Sequence, residues 1–200
     1  MKKKLYLFRH GETDWNTCQK MQGQADIPLN STGIKQAKKC AEFLKDKGIE
    51  IIYSSPLSRA IKTAEALSNI TGVKIKLDEN LKEMNFGDYD GSKIDDAIAT
   101  IGENTFYKFR DSKNELLDMS YPNGETKRQV RDRFLKAILN ICKNEEKNVI
   151  GISAHGRILR EFLFNNDFSD IFSTLKNCEC IEAEYEDNKI KIIKRIDTQN

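Results

Sequence analysis

The sequence lacks most of the features that would set it apart from an ordinary globular domain. It has three prolines, one tryptophan and no Pro- or Gly-rich linker, so nothing in it marks a boundary between domains. Its apolar runs fall well short of the roughly 20 residues that span a bilayer, and the apolar run after Lys4 is too short for a signal peptide. A net charge of +2 gives no reason to expect binding to nucleic acid or to a membrane.

Cysteine and histidine are also scarce, which limits disulfide and metal chemistry. The five cysteines are odd in number and form no C-x-x-C pair. This pattern predicts reduced, packed thiols in the cytoplasm. The two histidines, His10 and His155, do not have the spacing to cysteine that zinc motifs use. We therefore expect no metal and no other cofactor.

What the sequence does contain is an alternation of apolar strands with amphipathic helices. Strands are predicted at 4–9, 49–53, 73–77, 148–153, 179–185 and 189–195. Helices are predicted after Asn30-Ser31, after Ser54-Ser55-Pro56, from Glu125 and from about Arg157. The alternation predicts one α/β domain over residues 1–200, with three α/β/α layers and a mostly parallel sheet. The last two strands form a hairpin and add an antiparallel edge. Residues 92–120 are less regular and are predicted to be an insertion of short helices.

Both histidines stand in the same local pattern, an apolar run that ends in His-Gly. His10-Gly11 follows the run that ends at Arg9, and His155-Gly156 follows the run at 149–154. If the two strands are parallel, both histidines emerge at the carboxyl edge of the sheet, where α/β domains bind ligands. A single histidine is more often structural than catalytic. A matched pair, with an arginine before one of them, favours a functional site.

A second arginine strengthens this interpretation. Arg59 is placed in the first turn of the helix after Ser54-Ser55-Pro56, where a positive charge is unfavourable because of the helix dipole. An anion bound at the start of the helix would offset that cost. A salt bridge to a surface carboxylate explains Arg59 equally well when it is taken alone. Two arginines and two histidines at neighbouring strand ends, however, suit a phosphoryl group.

These residues lie in motifs that resemble those of the histidine phosphatase superfamily, in its phosphoglycerate-mutase-like branch. Six motifs occur in the family's order, at 9–16, 28–37, 54–64, 81–91, 122–126 and 153–156. Each alone is a weak match, but six in register over nearly the whole chain are specific. The resemblance implies a phosphoglycerate-mutase-like fold, in which residues 92–120 form a cap over the site and set the choice of substrate.

The resemblance also implies a role for each motif residue. His10 would be the nucleophile that receives the phosphoryl group, and Glu83 would donate a proton to the leaving alcohol. Arg9, Arg59 and a protonated His155 would hold the phosphoryl oxygens, so that no metal is needed. The further substrate contacts that the resemblance implies are Asn16, Thr13, Gln22, Gly23 and Gly156.

Physical chemistry is consistent with these roles. To attack phosphorus, His10 needs one unprotonated ring nitrogen, so we expect the other nitrogen to donate to a carbonyl oxygen. A general acid speeds the departure of an alkoxide by about 10²–10⁴. A phosphate dianion nearby would favour the protonated form of Glu83. Without the resemblance nothing selects Glu83 among 31 acidic residues. Its competitors, Glu12 and Glu125, are interpreted as a supporting residue and a helix N-terminal residue.

Three departures from the family pattern bear on the substrate. After Glu83 the chain reads Met84-Asn85, where glycolytic mutases carry Arg-His, and this favours the phosphatase-type subgroup. Arg157 stands where the family commonly has a small residue. A solvent-facing side chain at the helix start is favoured there over an extra phosphate contact. In the aromatic-rich cap, Lys108 or Arg110 would reach a second anionic group, unless the aromatic residues simply pack the cap.

The sequence therefore favours a metal-independent phosphatase that hydrolyses a small phosphorylated metabolite through a phosphohistidine at His10. Phosphoglycerate-mutase-type phosphoryl transfer is the alternative. A non-catalytic phosphate-binding module is less favoured, because no catalytic residue is missing. The exposed hairpin edge is compatible with both a monomer and a homodimer.

Overall fold

A six-stranded sheet runs through the middle of the domain. The computed structural model describes residues 2–111, 114–166 and 175–200. Its strands are β1 (Lys3–Arg9), β2 (Ile51–Ser54), β3 (Ile75–Leu77), β4 (Val149–Ala154), β5 (Cys180–Glu186) and β6 (Lys189–Ile196). Their order is β3-β2-β4-β1-β5-β6. The first four strands are mutually parallel, while β5 runs antiparallel to β1 and pairs with β6 as a hairpin. The predicted mostly parallel sheet with an antiparallel edge hairpin is confirmed.

Helices cover both faces of the sheet. They are α1 (Asp14–Thr17), α2 (Ser31–Leu44), α3 (Ser58–Thr71), α4 (Ile94–Ile101), α5 (Glu103–Asp111), α6 (Lys127–Asn144) and α7 (Gly156–Asn165). The pair α2 and α3 lies on one face, and α6 and α7 lie on the other, so the three-layer prediction is correct. The short helices α4 and α5 fall in the predicted insertion 92–120, of which residues 112–113 lie outside the described part of the chain.

The alternation of side chains along β1 explains why both faces are covered. Leu5 and Leu7 point into the core formed with α6 and α7, whereas Tyr6 and Phe8 point into the core formed with α2 and α3. All four side chains are buried. A strand that is apolar on both faces is stable only between two layers of helices. This burial fixes β1 at the centre, and with it the position of the residues that follow.

Helix starts are well defined near the carboxyl edge of the sheet. The side chain of Asn30 accepts a hydrogen bond from the N–H of Gly33 and caps α2, so Asn30 is the cap rather than Ser31. Thr126 and Gln129 form a capping box at the start of α6. Glu125, expected at the helix N-terminus, lies just before that box. The N-terminus of α7 has no side-chain cap from its own N-cap residue and faces the site described below.

The loop after β1 packs directly against the start of α2. A Cβ atom on either Gly11 or Gly33 would overlap backbone atoms of the other segment, including the carbonyl of Glu12. Glycine is required at both positions because the two backbones approach so closely. Within the described ranges, no helix is long and apolar enough to cross a membrane. All five cysteines carry free thiols, and only Cys18 is exposed.

Candidate active site

The two histidines meet at the carboxyl edge of the parallel strands. In the β1–β4 pair, Arg9 lies opposite Ala154, so the next residues, His10 and His155, leave the sheet side by side. Their ring centroids are 5.2 Å apart and the rings are tilted by 58°. The N–H of His10 also donates to the carbonyl of Ala154, at 3.1 Å. The matched sequence pattern thus becomes one pair of adjacent imidazoles.

His10 is held in one tautomer. Its Nδ1 lies 2.6 Å from the carbonyl oxygen of Gly11. Because a carbonyl only accepts, Nδ1 carries the proton and Nε2 has a free lone pair, as a nucleophile requires. Burial holds the pKa of His10 well below its usual range, and the positive charges of Arg9 and Arg59 lower it further. The side chain of Asn177 donates to the carbonyl of His10 at 3.0 Å, which fixes the backbone.

His155 is also neutral, and this differs from the protonated state expected for it. Its Nδ1 accepts a hydrogen bond from Nε of Arg59 at 3.2 Å, and its Nε2 donates to Oγ of Ser55 at 2.8 Å. Burial lowers the pKa of His155 well below its usual range, and the charge of Arg59 adds to this effect. The positive charge at the histidine pair therefore comes from guanidiniums.

Arg59 joins α3 to the loop that follows α1. It is fully buried in the first turn of α3, and its two Nη atoms donate to the carbonyls of Ala25 and Gly23 at 2.7 and 2.8 Å. Burial lowers its pKa to about 10, so it stays charged at neutral pH. Placing a cation at this helix start has the cost that the sequence predicts. Three hydrogen bonds, including the one to His155, offset it.

Arg9 is the last residue of β1 and directly precedes His10. Its Nη1 donates to the carbonyl of Leu175 at 2.5 Å, while its Nε is buried with no hydrogen-bond partner among the described residues. Burial lowers the pKa of Arg9. Gly156 packs flat against this guanidinium, since a Cβ there would lie 3.0 Å from Nε. The Arg9 guanidinium therefore keeps unused hydrogen-bonding capacity close to the imidazoles.

Glu83 lies at the N-terminus of α7, although it is far from that helix in sequence. Its Oε1 accepts from the N–H groups of Met84 and Ile158, and its Oε2 accepts from the N–H of Arg157, all at 2.9 Å. The carboxylate takes the place of a side-chain cap, where the helix dipole favours a negative charge. Arg133 and Gln24 donate to the Glu83 carbonyl and hold its loop in place. Glu83 is thus a fixed carboxylate facing the same cavity as His10.

A cavity of about 230 Å³ opens in front of His10. Among the residues that the sequence singles out, those that line it are Arg9, His10, Asn16, Gln22, Gly23, Arg59, Glu83, Arg110, Gly156 and Arg157. Thr13 and His155 do not reach it. Thr13 is fully buried and caps α1, and His155 lies behind Arg59. Asn16 accepts with its Oδ1 from the N–H of Thr13 and from Asn177.

The apolar part of the lining of this cavity comes partly from the cap helices α4 and α5 and partly from residues outside the cap. The apolar side chains that line it are Met21, Phe86, Ile94, Phe106, Phe109 and Tyr121. Tyr121 packs edge-on against Phe109 at 5.4 Å, and burial raises its pKa to about 12. Arg110 also lines the cavity, whereas Lys108 forms an exposed ion pair with Glu115 at 3.5 Å. Of the two cap cations, only Arg110 is placed to meet a ligand.

The predicted solvent-facing position of Arg157 is wrong. Its side chain is only 11% exposed, because α5 covers the start of α7 and the Arg157 guanidinium donates to two carbonyls of α5.

Two other residues that support the histidines, Ser55 and Asn177, are not indicated by the sequence. Ser55 stands in the Ser-Ser-Pro motif, but nothing local shows that it accepts from His155. Asn177 reaches His10 only through the fold.

Comparison with known proteins places the chain among relatives of this architecture. The family model "Histidine phosphatase superfamily (branch 1)" matches residues 5–198. The chain is 34% identical to "Uncharacterized phosphatase PhoE" of Bacillus subtilis (strain 168) over 157 residues, which cover 78% of this chain and 74% of that protein. It is 32% identical to "Probable phosphoglycerate mutase GpmB" of Escherichia coli O1:K1 / APEC over 189 residues, covering 92% and 86%.

A solved structure confirms the predicted fold. The crystal structure of phosphoglycerate mutase from Bacillus anthracis str. Sterne superposes with a TM-score of 0.86 at 25% identity. The superposition covers 96% of this chain and 92% of that chain. The architecture of both is therefore the same over nearly their whole length.

Proposed function

This chain belongs to the histidine phosphatase superfamily, and we propose that it is a cytoplasmic, metal-independent phosphatase that hydrolyses a small phosphomonoester through a phosphohistidine at His10. One observation carries the proposal. Nε2 of a buried, neutral His10 is unprotonated, and His10 lines one cavity with Arg9 and Arg59, whose positive charges act on it. A nucleophile beside two cations is what transfer of an anionic phosphoryl group requires.

In the first step, the lone pair on Nε2 of His10 attacks phosphorus as the bond to the alcohol oxygen breaks. Arg9 and Arg59 neutralise the charge on the equatorial oxygens. His155 supports this cradle from behind, because its Nδ1 accepts from Arg59. Asn16 adds a donor, since its Oδ1 is already engaged and its amino group remains for a phosphoryl oxygen.

Glu83 supplies the proton that the leaving alcohol needs. It lines the same cavity as His10, and in the proposed cycle it carries a proton when the ester is bound. Once the alcohol leaves, Glu83 is a carboxylate and takes a proton from the water that attacks the phosphohistidine. Phosphate is released, and both His10 and Glu83 return to their starting states.

The similarity to a probable phosphoglycerate mutase supports a second candidate, transfer of the phosphoryl group back to the product. The two candidates share the first step and differ in the acceptor. The Met84-Asn85 sequence after Glu83 favours water as the acceptor, as in the phosphatase-type subgroup. A non-catalytic phosphate-binding module is a third and weaker candidate.

Release of inorganic phosphate from a panel of small phosphomonoesters, measured in EDTA, tests the proposal. The panel includes phosphoglycerate, and His10→Ala is measured beside the wild type after its fold is checked by circular dichroism. We expect turnover in EDTA that His10→Ala abolishes. Isomerisation of phosphoglycerate without phosphate release would establish the mutase instead. Phosphate binding by calorimetry without turnover of any ester would leave only the binding module.

A further inference from the structure

Two buried cations hold the last turn of the cap helix α5. Arg157, in the first turn of α7, donates from Nη1 to the carbonyl of Arg110 at 2.9 Å and from Nη2 to that of Phe109 at 2.6 Å. Lys127, at the start of α6, donates to the carbonyl of Lys108 at 3.2 Å and to that of Glu115, which follows α5, at 2.9 Å. The three carbonyls that belong to α5 are among its last four, the positions at which helix carbonyls need partners from outside the regular helical pattern. We call Arg157 and Lys127 the α5 clamp.

The burial of the clamp makes these contacts stronger than ordinary surface hydrogen bonds. Lys127 is fully buried, and both cations lie near the ring of Phe109, at 5.4 and 5.1 Å from its centroid. Positive charge at the C-terminal end of a helix is also favoured by the helix dipole. Burying two neighbouring cations also has a free-energy cost. Burial and the charge of Arg157 lower the pKa of Lys127 to about 8.

A buried carboxylate fixes the clamp from below. Glu161, which is fully buried, lies 3.0 Å from Arg157 and 2.7 Å from Arg131 of α6. The Arg157 guanidinium is therefore held at a set position between α7 and α5. Arg131 makes a buried hydrogen bond with Glu161, whereas Arg157 contributes an ion pair without a hydrogen bond to Oε1.

The clamp connects the cap to the reacting end of the cavity. The backbone N–H of Arg157 donates to Glu83, while its side chain binds α5. Phe106 and Phe109 of α5 line the same cavity as His10. Arg157 thus links the position of α5, with its two phenylalanines, to the position of the Glu83 carboxyl group.

We propose that Arg157, with Lys127, determines substrate specificity by fixing α5 against α7 and so setting the width of the part of the cavity that receives the alcohol of the substrate. Esters whose alcohol reaches Phe106 and Phe109 depend on the clamp, and esters of very small alcohols do not. Arg157 also lines the cavity, but in this proposal it is a positioning residue, since its guanidinium donates to two carbonyls of α5 and acts through that helix. The kinetic test rests on the proposed phosphatase activity, whereas the position of α5 can be measured without it.

Hydrogen exchange of α5 amides measures the clamp directly. The variants are Arg157→Ala, Arg157→Lys and Lys127→Met. The control is Arg128→Ala: Arg128 lies next to Lys127 on α6, and the substitution removes its exposed ion pair with Asp118. We expect exchange in α5 to quicken by about tenfold or more in Arg157→Ala, with α3 and the control unchanged. Arg157→Lys, which keeps the charge, should show a smaller effect. Unchanged exchange in α5 would overturn the proposal.

Kinetics then separate positioning from phosphate binding. Arg157→Ala should raise KM for naphthyl phosphate by about tenfold and change KM for methyl phosphate by less than about threefold. Inhibition by inorganic phosphate, which needs only the cradle around His10, should stay the same. If Arg157→Ala weakened inhibition by phosphate by the same factor as it raised KM for naphthyl phosphate, Arg157 would bind the phosphoryl group and the proposal would be wrong. Absence of turnover in the wild type would contradict the phosphatase function but leave the exchange result standing.

Discussion

Replacing Glu83 by glutamine separates proton donation from the structural role of this side chain. The carboxylate accepts two backbone N–H groups with Oε1 and one, from Arg157, with Oε2. In Glu83→Gln the amide oxygen can take the place of Oε1. The amino group then faces the N–H of Arg157, donor against donor. The fold is kept, but one hydrogen bond to a charged acceptor is lost.

The expected magnitudes follow from that geometry. Loss of one buried hydrogen bond to a charged group lowers the free energy of unfolding by about 1.5–3 kcal/mol. Loss of the proton donor slows hydrolysis of alkyl esters by about 10²–10⁴, since an alkoxide leaves poorly. An aryl ester such as para-nitrophenyl phosphate has a stable leaving group, so its rate should fall by less than about tenfold. The ratio of the two losses is the diagnostic quantity.

The assay compares kcat/KM for an alkyl phosphate and for para-nitrophenyl phosphate, with urea unfolding of each variant. The matched control is Glu12→Gln, because Glu12 binds Asn30 at 3.0 Å and does not line the cavity. It should change neither substrate's rate by more than a few fold. Equal losses on both substrates in Glu83→Gln would refute the proton-donor role, and so would the absence of any loss.

Two further predictions concern the folded state. In the folded state His10 and His155 are buried and neutral, and their pKa values lie well below 6.5. Below about pH 6.5 the unfolded chain therefore binds more protons than the folded chain, and the free energy of unfolding falls as the pH drops. Urea unfolding should show this slope, and replacing both residues by asparagine should flatten it; a slope that survives would contradict the assignment. Gly33→Ala forces a Cβ against the Glu12 carbonyl, and should cost about 1–3 kcal/mol and lower activity, whereas the exposed Thr32→Ala should do neither. Unchanged stability in Gly33→Ala would disprove the close packing.

Much of this arrangement follows from local sequence patterns. The strands can be predicted because each is a short apolar run. The parallel pairing of β1 with β4 then brings His10 and His155 to one edge of the sheet. Arg59 stands out because a positive charge in the first turn of a helix is unfavourable next to the helix dipole. These signals are local, since each depends on residues within one turn or strand.

The rest depends on contacts between distant segments, which no local pattern encodes. Glu83 meets the N–H of Arg157 across 74 residues of chain, so only the family resemblance could select it. Arg157 was expected in solvent because a helix start is usually exposed, but the packing of α5 covers it. His155 was expected to be protonated, yet burial beside Arg59 keeps it neutral. Burial and charge in the folded state decide all three cases.

The central claim is that His10 receives the phosphoryl group during turnover. Its most direct test is a rapid mix of the enzyme with phosphoryl-labelled para-nitrophenyl phosphate, quenched in alkali, which preserves phosphohistidine. Digestion and mass spectrometry then locate the label. We expect label on His10 that forms and decays fast enough to support turnover, and no label in His10→Ala. Label on another residue, or turnover in His10→Ala at an appreciable rate, would contradict it.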